Sequence, residues 1–496
     1  MSPLTYSRRQ LIGAVLGPVF ALLPWLITAP SGLSEDAWIV AGIALLMATW
    51  WMTEPVPIPV TALLPMVLFP LVGVAPIQEA ATSYAHPIIF LFLGGFILAL
   101  AMKRSGLHRR LAFAMIGVLG FSPRRLIAAF LLASASLSMW VSNTATSLMM
   151  LPIALSVVSL VPSSYRNEPG IKYFGTALLL AVAYGATTGG MGTLIGTPPN
   201  ALMAAFLEQN YHITLGFAQW MMIGVPVVII ALPFVYLVLT RWVFKVGAQP
   251  LPEVAELIAS EKNTLGRLSR MELTVAVVFA ATALAWITRP WLNGLIPSLS
   301  DTGIALTGAS LLFFISAGDG SGQRVMDWKA CRDLPWDVLL LFGGGLSLAG
   351  RIQATGLSVW LGEKAESLGS LPLVLLVAVL ALGILLLTEM TSNTATAATF
   401  LPVVAAVAVQ LGLNPLLLLV PTALAANCAY MMPVGTPPNA IVYGSGRIAL
   451  PDMVRAGVWL NLLLIPIIVA VLFLLGPWVL GIEFDVLPAW AISPPP

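Results

Sequence analysis

The sequence predicts an all-α, polytopic membrane protein built from two inverted copies of one unit, each carrying a re-entrant hairpin. Composition, internal repetition and the placement of charge lead to this class. The chain has 496 residues, 59% hydrophobic and only 9% charged, and its mean hydropathy is +0.95. Soluble domains carry about 25% charged residues. Apolar runs recur at 11–29, 222–240, 272–288, 371–387 and 457–480, and a span needs about 20 residues. Counted along the chain, such segments give roughly ten to twelve spans.

Repetition supplies the architecture. Ser142-Asn143-Thr144-Ala145-Thr146 recurs as Ser392-Asn393-Thr394-Ala395-Thr396, an offset of 392 − 142 = 250. The same offset relates Gly94-Gly95 to Gly344-Gly345, Gly106-Leu107 to Gly356-Leu357 and Leu151-Pro152 to Leu401-Pro402. A second motif, Gly196-Thr197-Pro198-Pro199-Asn200-Ala201, recurs as Gly435-Thr436-Pro437-Pro438-Asn439-Ala440, offset 439 − 200 = 239. Two identical motifs in the same order, with collinear glycines, mark a duplication.

Charge orients the copies. Segment 101–125 holds Lys103, Arg104, Arg109, Arg110, Arg124 and Arg125 and no acid, whereas 351–375 balances Arg351 and Lys364 against Glu363 and Glu366. Short cytoplasmic loops carry the excess of Lys and Arg, so the segment lies inside in the first copy and outside in the second. That is an inverted-topology repeat, an architecture of many secondary transporters. The linker 245–271, with Lys245, Lys262, Arg267 and Arg270, is expected on the cytoplasmic side. So is the N-terminus, held by Arg8 and Arg9 before a first span. The tail 482–496, with Glu483 and Asp485 and no base, suits the outside of the cell inner membrane.

Each Ser-Asn-Thr is flanked by apolar stretches too short to span, which predicts re-entrant hairpins over about 124–161 and 371–410. Irregular backbone at membrane depth is tolerated only where protein buries it or it lines a wet cavity. Ser and Asn are preferred N-caps, so the second arm of each hairpin begins at the tip, its N–H groups and positive dipole end facing whatever is bound. The paired prolines remove two N–H donors and disfavour helix in the preceding residue, predicting broken helices at 196–200 and 435–439. The carbonyls of Gly196, Thr197, Gly435 and Thr436 are thereby freed for a cation. Thr197 and Thr436 are placed to cap the next half-helix, with Pro198 and Pro437 at its first position.

Other features are read as structural. Cys331 and Cys428 are the only cysteines, too few for a metal site and unsuited to a disulfide. His86, His108 and His212 are scattered. Glu389 is an intramembrane acid beside the second tip, but its repeat partner is Met139, so it lies outside the duplicated machinery. Glu54 is read as holding a break between half-helices. A net charge of +2 gives no support to nucleic-acid binding. An enzyme needs a nucleophile–base set, an acid pair or a zinc motif, and neither G-x-S-x-G nor H-E-x-x-H occurs. No organic cofactor is expected.

The paired motifs, together with Trp51-Met52-Thr53-Glu54 leading into Thr61-Ala62-Leu63-Leu64-Pro65, resemble the divalent anion/sodium symporters over nearly the whole chain. That family includes sodium-coupled dicarboxylate, citrate and sulfate carriers. The resemblance implies eleven spans with two opposed hairpins, a scaffold and a transport domain, a homodimer, and an elevator-like alternating-access motion. It implies a first sodium site at Ser138, Ser142, Asn143 and the Gly196 backbone, and a second at Thr388, Thr391, Asn393 and the Gly435 backbone. Substrate carboxylates would meet Asn143, Thr144, Asn393 and Thr394, with Pro198 and Pro437 nearby. The duplication supports the pairing independently, since 388 − 250 = 138 and both positions are hydroxyl residues.

The expected segments are N-terminal scaffold helices (1–80), repeat 1 (81–244), the linker, scaffold helices opening repeat 2 (272–335) and the repeat 2 core (336–481). Sodium also makes physical sense. A dianion left uncompensated in the bilayer costs roughly 5–7 kcal/mol, twice the lenient single-charge figure. The proposed site is expected to contain no Arg or Lys, so bound cations are expected to compensate it. Sodium-coupled symport of succinate, malate or fumarate is the leading expectation. Sodium-independent dicarboxylate exchange and sodium/sulfate symport are the alternatives.

Overall fold

A computed structural model describes residues 7–160, 171–249, 252–318, 320, 322–365 and 369–492. Residue 161 of the first expected hairpin, 250–251 of the linker, 493–496 of the tail and Glu366 lie outside the described residues. The numbered helices are α1 (Arg8–Leu26), α2 (Glu35–Thr53), α3 (Pro87–Ser105), α4 (Leu107–Leu119), α5 (Pro123–Ser138), α6 (Asn143–Ser159), α7 (Phe174–Gly190), α8 (Pro198–Tyr211) and α9 (Phe217–Leu237). They continue as α10 (Arg270–Leu292), α11 (Asp301–Phe314), α12 (Trp336–Ala354), α13 (Leu357–Lys364), α14 (Leu373–Thr388), α15 (Asn393–Gln410), α16 (Leu416–Ala426), α17 (Pro437–Tyr443) and α18 (Leu450–Leu480). Among the described residues no strand forms beyond one isolated bridge, Ser316 to Arg324.

Helices α3–α9 and α12–α18 repeat one pattern. A long apolar helix bends at a glycine in left-handed backbone, Gly106 (φ +83°) or Gly356 (φ +78°). A hairpin of two short helices follows, then a helix broken before a Pro-Pro pair. The bend between α12 and α13 is 77°. The copies run antiparallel. Arg104, at the end of α3, pairs with Asp327 ahead of α12, and Arg351, near the end of α12, pairs with Glu79 ahead of α3. Each bend therefore lies at the opposite end of the bundle from the other, as an inverted repeat requires.

Basic side chains gather the linker onto one face. It contains a helix, Pro252–Thr264, that packs against α4. Arg109 pairs with Glu261 at 3.3 Å, Arg110 with Glu272 at 2.9 Å, and Arg124 donates to the carbonyl of Val246 at 2.7 Å. At the other end, Trp360 donates to Ser31 O and Ser34 to Thr355 O, joining the α1–α2 turn to the Gly356 bend. Glu54 ends α2 in the left-handed region (φ 51°).

Seven described helices are long and apolar enough to cross a membrane, or eight with the bent α12–α13 pair as one span. The shorter apolar helices include α6 of the first hairpin, α14 of the second, and α7 and α16 ahead of the breaks, whereas α15, the second arm of the second hairpin, is 18 residues long and counts among the seven. A hairpin arm of 16 residues reaches about 24 Å, short of the roughly 30 Å hydrocarbon core. The helix breaks fall at 191–197 and 427–436, displaced from the expected 196–200 and 435–439. Pro198 and Pro437 sit at the first position of α8 and α17, so the chain is irregular ahead of the prolines and helical from them onward.

Candidate cation and anion site

Both hairpin tips turn through four residues and restart as helix at an asparagine, Asn143 or Asn393. Ser142 Oγ accepts the N–H of Ala145 at 3.3 Å as an N-cap. Ser392 holds the same position without a side-chain cap bond. The tips pack onto the broken helices, where glycine makes room. A Cβ added at Gly190 would collide with the Asn143 amide, and one at Gly196 with the carbonyl of Gly190.

The tightest grouping surrounds Asn143. One terminal atom of its amide stands 2.6 Å from Ser138 Oγ, 3.1 Å from the carbonyl oxygen of Ala186 and 3.2 Å from that of Gly196. The second copy reproduces the grouping, with the Asn393 amide 2.8 Å from Thr388 Oγ1, 3.0 Å from Gly435 O and 3.1 Å from Ala426 O. An amide nitrogen placed there donates to all three oxygens. An amide oxygen placed there completes a set of four neutral oxygens, the ligand chemistry of a hard monovalent cation at unwound backbone and half-helix C-terminal ends. Ala186 and Ala426 lie near the C-terminal ends of α7 and α16, where the helix dipole favours a cation. The donor sets thus fit sodium.

The opposite ends of other helices face the space between the clusters. A cavity of about 890 Å³ is lined by Ser142, Asn143, Thr144, Ser392, Asn393 and Thr394 from the tips, and by Gly196, Thr197, Pro198, Gly435, Thr436 and Pro437 from the breaks. The N-termini of α6, α8, α15 and α17 converge on it. Free N–H groups and positive dipole ends suit an anion. Lys103 also lines the cavity, with Glu54, Asp333 and Asp337. The expectation of a site without Arg or Lys is corrected by Lys103, which reaches the cavity from the last turn of α3 and lies outside both motifs.

Some expected roles are distributed differently. Thr391 Oγ1 donates to Leu387 O at 2.9 Å and shares a 2.6 Å hydrogen bond with Thr396, so its hydroxyl is engaged away from the Asn393 grouping. The repeat partner of Thr391 is Val141, which has no hydroxyl to offer. Thr436 caps α17 through Asn439 N at 3.4 Å. Thr197 holds the N-cap position without a side-chain cap bond, and its hydroxyl donates to Asn427 Oδ1. The carbonyls of Ala186 and Ala426 escaped sequence reasoning, since backbone ligands leave no side-chain signature.

Asn200 and Asn439, the last polar residue of each Pro-Pro motif, were also missed, although identity at matched positions was a visible signal. Asn200 Nδ2 donates to Thr193 O at 2.8 Å; Asn439 Nδ2 donates to Ala429 O at 3.0 Å and Met432 O at 3.1 Å. Each ties its half-helix back across the break. Asn427 Nδ2 donates to Asn200 Oδ1 at 3.2 Å, and Tyr184 Oη donates to the carbonyl of Tyr430 at 2.8 Å. These bonds join the two breaks into one buried polar core.

Comparison with known proteins decides the family. The model for the sodium:sulfate symporter transmembrane region matches residues 9–482. The chain belongs to this sodium:sulfate symporter family. Among curated symporter-family relatives, the sodium-dependent dicarboxylate transporter SdcS of Staphylococcus saprophyticus is 43% identical over 486 residues, covering 97% of this chain and 94% of that protein. SdcS of Staphylococcus aureus is 42% identical over 487 residues with the same coverage. Two solved structures share the fold at low identity. The YdaH transporter of Alcanivorax borkumensis aligns with TM-score 0.56 at 14% identity, over 96% of this chain and 100% of that one. MtrF of Neisseria gonorrhoeae, described as one of a class of antimetabolite efflux pumps, aligns with TM-score 0.57 at 11% identity, over 97% and 96%.

Proposed function

We propose that this protein is a secondary active transporter that carries di- or tricarboxylate anions of the succinate, malate or fumarate type together with sodium. One observation carries the reading: two matched sets of neutral oxygens flank a single cavity onto which four helix N-termini converge. Relatives of matching length named as sodium-dependent dicarboxylate transporters support the choice of sodium and of a carboxylate.

The first sodium ion is held by Ser138 Oγ, Asn143 Oδ1 and the carbonyls of Ala186 and Gly196. The second is held by Thr388 Oγ1, Asn393 Oδ1 and the carbonyls of Ala426 and Gly435. Ser142 and Thr391 shape the adjoining tips. The substrate carboxylates take N–H groups and side-chain donors at Asn143, Thr144, Asn393 and Thr394, with Pro198 and Pro437 closing the walls. Sodium at either site turns the asparagine oxygen inward and its NH₂ toward the cavity, so cation binding readies the donors that the anion needs. Sodium therefore binds before the anion.

Hairpins, broken helices, α9 and α18 form a transport domain that moves in an elevator-like manner against a scaffold built of the N-terminal helices, α3, α10, α11 and α12. The assembly is a homodimer in the cell inner membrane. The N-terminus and the linker are cytoplasmic, and the C-terminus faces outward.

The test is uptake of radiolabelled succinate into proteoliposomes, with and without an inward sodium gradient, at both signs of membrane potential. Uptake that needs sodium is expected; a further rise with an inside-negative potential would mean that more than two sodium ions accompany each dianion. Uptake that requires internal succinate and ignores sodium would establish exchange and remove the cation sites.

A further inference from the structure

Glu389 follows Thr388 at the second tip and is buried. Its Oε1 accepts the N–H of Tyr430 at 2.8 Å, that of Met431 at 2.9 Å and Asn461 Nδ2 at 2.6 Å, while Oε2 accepts the N–H of Met432 at 2.9 Å. Three consecutive amides form an anion-binding concavity, and Asn461 of α18 closes it. No ion pair to Glu389 occurs among the described residues. The carboxylate is thus held by dipoles and its charge is not cancelled by a cationic side chain. A Cβ built at Gly435 would lie 3.2 Å from Glu389 Oε2 and 3.1 Å from its carbonyl, and the Gly435 carbonyl belongs to the Asn393 oxygen set.

The first copy has Met139 at this position. Its side chain lies against Gly192, and among the described residues the first break is held by neutral bonds, among them Thr193 Oγ1 to Met139 O, Gly196 N to Thr193 Oγ1 and Asn200 Nδ2 to Thr193 O. The duplicated oxygen sets therefore sit in unequal fields. A buried charge near a cation site is screened little by salt, and its attraction for a cation a few ångströms away is strong at the effective dielectric of a protein interior.

We infer that Glu389 makes the second cation site the tighter of the two, acting as a positioning residue whose carboxylate, ringed by four N–H donors, fixes the 427–436 break beside that site. This rests on the sodium reading above. The test uses purified, substrate-free protein titrated with NaCl at constant ionic strength in choline chloride, followed by ²²Na⁺ binding and by thermal unfolding. The unaltered protein binds in two phases. Glu389→Gln weakens the tighter phase by about tenfold or more and leaves the weaker phase within about twofold. Glu389→Asp, which keeps the charge, recovers part of the tighter phase; a glutamate acting only as a structural staple would not separate these variants.

Because Glu389→Gln places an NH₂ among donors and can unfold the protein, Thr388→Ala and Ser138→Ala supply a second route. Thr388→Ala removes the tighter phase and Ser138→Ala the weaker. The reverse assignment, or two phases untouched by Glu389→Gln, overturns the inference while leaving the sodium reading intact. Absence of any sodium binding by the unaltered protein overturns both.

Discussion

Asn143→Ala is expected to abolish sodium-driven succinate uptake, and Asn393→Ala to do the same from the other copy. Each amide touches three oxygens at 2.6–3.2 Å in the first set and 2.8–3.1 Å in the second, and each side chain also lines the cavity. A contact to a charged group contributes about 1.5–3 kcal/mol, which is about 10–150-fold in affinity. Losing such a contact to sodium and another to substrate compounds to at least about 100-fold in uptake at fixed concentrations. The loss is not structural, because alanine at the first helical position of α6 or α15 is a good helix former. Monodisperse protein with a melting temperature in choline chloride within a few degrees of the unaltered protein, but without uptake, is the expected pair of results. Uptake retained at half or more of the normal rate in either variant would remove that asparagine from the transport path.

What the sequence made legible, and what it hid, follows from where information resides in such a site. The tips were readable because a polar triplet interrupts apolar arms too short to span, and because the triplet occurs twice. The broken helices were readable from Pro-Pro, but their position was displaced toward the C-terminus. Prolines mark where a helix can start, whereas the irregular residues are those ahead of them, and 191–197 carries only small and apolar residues besides Thr193 and Thr197. The Ala186 and Ala426 carbonyls were invisible, since any residue supplies a carbonyl. Thr391 shows the opposite case, its hydroxyl bonding Leu387 O and Thr396. A hydroxyl beside a tip invites a ligand role, yet its repeat partner Val141 signalled that the duplicated grouping does without it.

The asymmetry at Glu389 has the same lesson. An acid without a counterpart in the other copy was set aside by the logic of duplication. Four donors meeting at its carboxylate tell where the copies have diverged. The second break runs over 427–436 and the first over 191–197, and the longer one is the one that an anion holds together. Duplicated geometry thus accounts for the two matched oxygen sets, and divergence after duplication accounts for the difference in what stabilises them.

Gly190→Ala is expected to separate folding from cation binding more cleanly than any change of a polar residue. All three heavy atoms nearest to an added Cβ there belong to the Asn143 amide. A flexible side-chain end can swing away, so the helix survives, but the amide then leaves Ser138 Oγ and the carbonyls of Ala186 and Gly196. Alanine in place of glycine near the end of α7 gains up to about 1 kcal/mol of helix propensity, which offsets part of the lost neutral hydrogen bonds at about 1 kcal/mol each. The melting temperature without sodium should therefore shift by only a few degrees. Sodium protection from the first site should vanish, with uptake falling at least about 100-fold, on the same contact energies as for Asn143→Ala. A variant that keeps both sodium phases and normal uptake would show that the Asn143 amide need not hold its observed position, and the first oxygen set would lose its central member.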